Sequence, residues 1–357
     1  MKRYLRILCL LLCAVLLGGC MPSRSGSGSF SAVSEVQVTR SDNGETTVSS
    51  LHYDTEKNTL TVNIGKRSDV FAFDGNGNLL SRREYIGEKE QSFTENTYDE
   101  NGKLVATHSY DAGSSVMCVS PSSGKRVYTY DENGNLMKES SYRDDRLSGE
   151  LFYRPDGTLS RQIQYPYGFG DGDTDTSVYD EEGKVLTLRR IRYGKDDSGV
   201  DYLYDDQGRL AKEEKYEGSQ KASTTYLYDD QGNLVEKRHF DYYGAQTSYF
   251  YTYDECRNLL SSRYSPDGED SGYKWAYDEE NRVVTMQTHY SDGWGRKDWS
   301  YDKNGLVLTR TVGDTVYTYT YKYTNVKVPE AVQAYWEQML HALRGYPVDP
   351  MLYGPEA

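Results

Sequence analysis

The chain has 357 residues, of which 13% are aromatic and 35 are tyrosine, with a formal charge of −14 at pH 7. Losing Lys2, Arg3 and Arg6 with an N-terminal signal would take the charge to −17. That balance argues against nucleic acid as a partner and against direct adhesion to anionic lipid.

Lys2, Arg3 and Arg6 precede an apolar run from Ile7 to Leu17, and Gly18-Gly19-Cys20 then opens a Ser- and Gly-rich stretch. This is the order of an export signal. The run is about 11 residues, whereas a spanning helix needs roughly 20. Leu17-Gly18-Gly19-Cys20 resembles the processing box of bacterial lipoproteins. The resemblance implies a signal over residues 1–19 and lipidation of Cys20, holding the protein on the extracytoplasmic face of a bacterial cell membrane. Secretion with Cys20 unmodified, or an uncleaved anchor, are the alternatives. Residues 20–45, polar and small, read as a flexible tether.

From residue 46 to 325 the chain repeats itself. Eleven times between Tyr53 and Val307 it writes a version of Tyr-Asp-x-x-Gly-x-Leu, mostly 23 to 26 residues apart. A fixed period of this kind marks a repeat architecture. Before each turn apolar residues alternate, as in Tyr202 and Tyr204 or Tyr226 and Tyr228, which places them on one face of a strand. Asp then accepts from the backbone two residues on, and Gly supplies positive φ, predicting a hairpin on a type I turn with a glycine bulge. An aromatic often follows the Leu by six positions, as Leu104 with Tyr110 and Leu210 with Tyr216. An even spacing predicts the same face for both, and hence one continuous aromatic layer shared by neighbouring repeats. Arg257 and Asn281 stand where most copies place glycine; arginine there should strain or remodel its turn.

The unit resembles the YD repeat of the RHS/teneurin group over about residues 50 to 325. Tyr98, Asp99, Gly102 and Leu104 match it, as do Tyr130, Asp131, Gly134 and Leu136. Tyr204, Asp205, Gly208 and Leu210, and Tyr228, Asp229, Gly232 and Leu234, match it too. The resemblance implies an all-β fold of antiparallel hairpins, with these residues as framework. For a chain of this length we expect an open curved or spiralling sheet rather than a large shell.

Residues 326–357 change character. Tyr317, Tyr319, Tyr321 and Tyr323 read as a last strand, and Pro329-Glu330 opens a helix that Gly345 ends. Val332, Trp336, Met339, Leu340 and Leu343 form one stripe, suited to covering the exposed end of the sheet. Of the two cysteines in the body, Cys118 and Cys256, a disulfide is permitted outside the cytoplasm, although five repeats separate them.

Chemistry-bearing constellations are sparse. Adjacent acids such as Asp99-Glu100, Asp131-Glu132 and Asp229-Asp230 are better suited to turns than to glycoside hydrolysis, which sets its acids about 5 to 9 Å apart across a pocket. Asp171, Asp173 and Asp175 alternate as calcium ligands do, without the terminal glutamate of a complete loop. No metal site, cofactor or catalytic residue is assigned. The expectation is a non-enzymatic envelope lipoprotein with a structural or adhesive role, presenting its surface to an extracytoplasmic protein or glycan. A calcium-dependent binding module and a carbohydrate-active enzyme are the alternatives.

Overall fold

The computed structural model describes residues 27–113, 122–166, 172–265, 272–290 and 293–343, which hold twenty-four strands, β1 to β24, and one helix, α1. They fall into two compact units, the first from residues 27–90, 300–310 and 315–343 and the second from residues 91–299 and 311–314. Cys20, Cys118 and Gly168 to Asp171 lie outside the described residues.

In the second unit the expected hairpins form. Tyr98 faces Leu104, Tyr130 faces Leu136, Tyr204 faces Leu210 and Tyr228 faces Leu234, all antiparallel. One residue before each of those tyrosines the register shifts, the mark of a bulge.

That bulge corrects the single aromatic layer. The extra residue reverses the alternation beyond it, just as a one-residue slip would. Tyr110 therefore pairs with Phe93, and Tyr216 with Gly199, both on the face opposite Tyr98 and Tyr204. There Phe93 and Tyr110 stack at 5.7 Å, and the Tyr216 hydroxyl donates to Asp196 at 2.6 Å. The Tyr-Asp tyrosines line one face and the later aromatics the other.

The first unit contains β1 (Ser27–Arg40), β2 (Thr46–Asp54), β3 (Thr59–Ile64), β4 (Arg67–Phe73) and β5 (Leu79–Ile86), with the last strand, β24 (Thr315–Pro329). Consecutive strands from β1 to β5 pair antiparallel. The tether read over residues 20–45 is therefore corrected for Ser27–Arg40, which is a strand. Its polar composition is tolerated because β24 supplies a partner from Ser27↔Pro329 to Arg40↔Tyr317.

The same pairing corrects the open sheet. β1 is bonded on one side to β2 and on the other to β24, so the first and last strands close on each other. An unpaired edge would expose a row of backbone donors and acceptors. The repeat pattern is local and carries no signal of which distant strands meet.

Helix α1 (Glu330–Leu343) begins where the sequence places it. With both strand edges paired, it covers a face instead of an end. Val332 and Trp336 are buried against a core that includes Val36, Leu60, Val62, Phe71 and Val307. These seven are the largest fully buried side chains among the described residues, and all belong to the first unit. Tyr335 adds an edge contact to Phe73 at 5.4 Å. Among the described residues no helix is long and apolar enough to cross a membrane.

Candidate functional site

In the regular copies the turn is built on its aspartate. In the Tyr98 repeat, Asp99 Oδ1 accepts from the backbone of Asn101 at 2.9 Å and of Lys103 at 2.8 Å. The backbone closes the same loop, with Gly102 donating to the Asp99 carbonyl at 3.0 Å. The turns at Asp205, Asp229 and Asp278 repeat this scheme. A carboxylate holding two backbone N–H groups is stabilised in its charged form. Accordingly Asp131, Asp229 and Asp254 lie below the usual carboxylate range, first because the Asn135, Asn233 and Asn258 side chains donate to them.

In six copies the tyrosine at the turn or on the closing strand reaches back to a carbonyl of the preceding hairpin. The Tyr130 hydroxyl donates to the Leu104 carbonyl at 2.8 Å, Tyr228 to Leu210 at 2.9 Å, Tyr253 to Leu234 at 3.0 Å and Tyr277 to Leu259 at 2.9 Å. Tyr204 does the same to Val185 at 2.8 Å, and Tyr321 in the first unit to Val307 at 2.6 Å. The motif is thus a staple: its leucine offers a carbonyl forward and its tyrosine takes one from behind.

A second clasp runs beside the first. Lys103, Lys184 and Arg209, each directly after a turn glycine, lie over the rings of Tyr130, Tyr204 and Tyr228 at 5.4, 5.6 and 4.3 Å, a cation–π arrangement. Lys103 also occupies the space that a β-carbon on Gly134 would take, and Gly134 sits at φ 85. The left-handed backbone keeps that position glycine, since the flexible end of Lys103 can move aside.

The irregular copies keep the scheme by substitution. Arg257 adopts φ 67, yet its turn retains the Asp254 closure, and its Nε donates to Asn233 of the preceding turn at 3.0 Å. Of the two expected outcomes the turn shows strain, a non-glycine residue at positive φ, and not remodelling. Asn281, at φ 60, accepts from Asn258 at 2.9 Å. Where Arg154 replaces the aspartate, its guanidinium donates to Leu159 O at 2.9 Å and Tyr179 O at 2.8 Å. Leu159 O is the carbonyl that the next tyrosine would take in a regular copy. Tyr179 turns instead to Gln162, at 3.2 Å.

The tyrosine face also carries half-buried charge. Tyr226 donates to Glu213 at 2.9 Å while Lys237 lies 5.6 Å from its ring centre. Burial, then the Glu213 charge, pushes the Tyr226 phenol up. Burial likewise raises Tyr251 and Tyr253 to about 12.

The sequence-level candidates for chemistry are dispersed. In the paired acids the first member is committed to its turn and the second, Glu100, Glu132 or Asp230, points to solvent. Of the alternating acids, Asp173 accepts from the Tyr193 backbone at 2.6 Å, and Asp175 pairs with Arg192 at 2.6 Å. Those carboxylates are already engaged, and no cluster of three or more metal-ligating residues occurs among the described residues. The groove between consecutive turns, lined by Asp180, Lys184, Tyr204 and Asp205 among others, is open and polar. Cys256 is exposed at a turn tip. Among the described residues the most exposed tyrosines, Tyr193 at 78% and Tyr243 at 88%, sit on hairpins that are not neighbours.

Sequence reading found the tyrosine, aspartate, glycine and leucine of each unit but missed the residue after the glycine. Its recurring basic character at Lys103, Lys184 and Arg209 was the available signal.

The teneurin YD-shell family matches residues 92–293, more than half of the chain. No curated protein matches. Among solved structures, the TcdB2-TccC3 crystal structure is similar at 12% identity and a TM-score of 0.32, over 78% of this chain and 20% of that one. The Tc holotoxin pore of Photorhabdus luminescens gives 11% identity and 0.27, over 78% and 21%. A porin-like protein of Bacteroides uniformis gives 8% and 0.29, over 81% and 98%. The chain spans about one fifth of the first two. With its staple of tyrosine, aspartate, glycine and leucine carried through the matched segment, this chain belongs to the teneurin YD-shell family.

Proposed function

We propose that the protein is a non-enzymatic structural element of the bacterial envelope, held at the extracytoplasmic membrane surface through lipid on Cys20. One observation carries the structural part of this reading: the polar atoms of the repeat are spent on the repeat. Tyrosine hydroxyls bind the preceding leucine carbonyl, and turn carboxylates bind their own backbone. A surface built for catalysis would instead aim such groups at a common point. The anchor is supported by the Leu17-Gly18-Gly19-Cys20 junction.

A second reading, recognition of an extracytoplasmic protein or glycan, is favoured by Tyr193. Its ring is 78% exposed and its backbone is left-handed at φ 52, a costly conformation for a bulky residue. The test has two arms. Palmitate labelling of the full chain and of Cys20→Ala reads the anchor, with label expected only in the former. A glycan array and envelope pull-down with the signal-free body reads recognition. No reproducible ligand is expected if the role is structural alone; binding lost in Tyr193→Ala and Tyr243→Ala supports the second reading.

A further inference from the structure

We propose that the Tyr-Asp turns of the first unit form the surface that faces the lipid bilayer; this rests on the lipid anchor at Cys20. Register and chain length carry the inference. The pairing of Glu35 with Ser50 runs β1 from the level of the β2–β3 turn towards Arg40. Ser27 therefore emerges at the same end as the turns at Asp54 and Asp74, beside Pro329 and the start of α1. The opposite end of this unit carries the Asp42-Asn43 turn and Gly65-Lys66.

Seven Cα steps separate Cys20 from Ser27, and even a fully extended chain covers only about 25 Å in that count. The span of β3, Thr59–Ile64, puts the far end roughly 20 Å beyond the turns. β1 itself runs 14 residues from Ser27 to Arg40, roughly 45 Å of strand, so a tether of about 25 Å cannot present both ends to the bilayer equally. The turn acids Asp54 and Asp74 spend their carboxylates on backbone N–H groups, and Lys57 pairs with Asp54 at 3.4 Å. The acyl chains supply the attachment and the tether length supplies the orientation.

The test uses the lipidated full-length protein in vesicles doped with a headgroup-labelled energy acceptor. Donor dye is placed at Asn76→Cys or at Lys66→Cys, both exposed turn positions, with Cys118 and Cys256 changed to Ser. Energy transfer roughly twofold higher from position 76 than from position 66 is expected for a height difference of ~20 Å. Equal transfer, or more from position 66, from protein that carries palmitate and floats with the vesicles overturns the orientation while leaving the anchor standing. Protein that neither takes up palmitate nor floats overturns the anchor and the orientation together.

Discussion

Trp336 Nε1 donates to the backbone carbonyl of Val33 at 3.0 Å, joining residues 303 apart in the chain. The acceptor sits where β1 slips register against β24, between Val33 and Glu35. An irregularity in the closing seam thus coincides with the point at which α1 is fastened, and the indole is 1% exposed.

Truncating that side chain removes both a large buried surface and a buried bond. Trp336→Ala is expected to destabilise the first unit by about 3–5 kcal/mol. Trp336→Phe keeps most of the packing but orphans the Val33 carbonyl, for about 1–3 kcal/mol. Urea unfolding of the purified body measures both, and the order of the two variants is the critical outcome.

The staple makes a subtler prediction. Tyr228→Phe deletes only the hydroxyl that meets Leu210 O, and is expected to cost about 0.5–1.5 kcal/mol. Tyr243→Phe, on an exposed ring, is expected to stay within about 0.5 kcal/mol of the parent. Equal effects from the two would remove the distinction between stapling and decorative tyrosines.

Acid should loosen the turns. Asp131, Asp205, Asp229 and Asp254 have folded-state pKa values depressed by hydrogen bonds to the charged carboxylate. Their stabilisation is present above the ordinary value of about 3.9 and is lost as pH falls through the lower folded values. Circular dichroism against pH is expected to show unfolding below about pH 4. Asp229→Asn should remove that turn's share of the acid response.

Alkali acts through the opposite sign. Tyr251 and Tyr253 are raised to about 12, so their stabilisation is complete below the unfolded tyrosine value of about 10 and declines as pH climbs above it. Tyrosinate absorbance is expected to show a late phase, with Tyr251 and Tyr253 ionising together with loss of strand signal.

Much of this was legible in the sequence because it is local. Tyr204, Asp205, Gly208 and Leu210 lie within seven residues, and period and turn chemistry suffice to draw their hairpin. The bulge was legible too, although its consequence for Tyr216 is clear only once register is known: one added residue moves that ring to the other face. Closure of β1 on β24 and the seat of Trp336 join distant segments, and such contacts leave no trace in a repeat pattern. For the candidate site, the framework residues were found, whereas the clasp by Lys103, Lys184 and Arg209 depends on the next repeat lying directly above.

If each repeat is held by its neighbour through the tyrosine hydroxyl, hydrogen exchange of Tyr228→Phe gives the sharpest readout. Faster amide exchange is expected in the strand Leu210–Glu217 as well as in the mutated strand Gln220–Tyr228, because the lost bond joins the two repeats. Faster exchange confined to the Tyr228 turn, with Leu210–Glu217 unchanged, would contradict it.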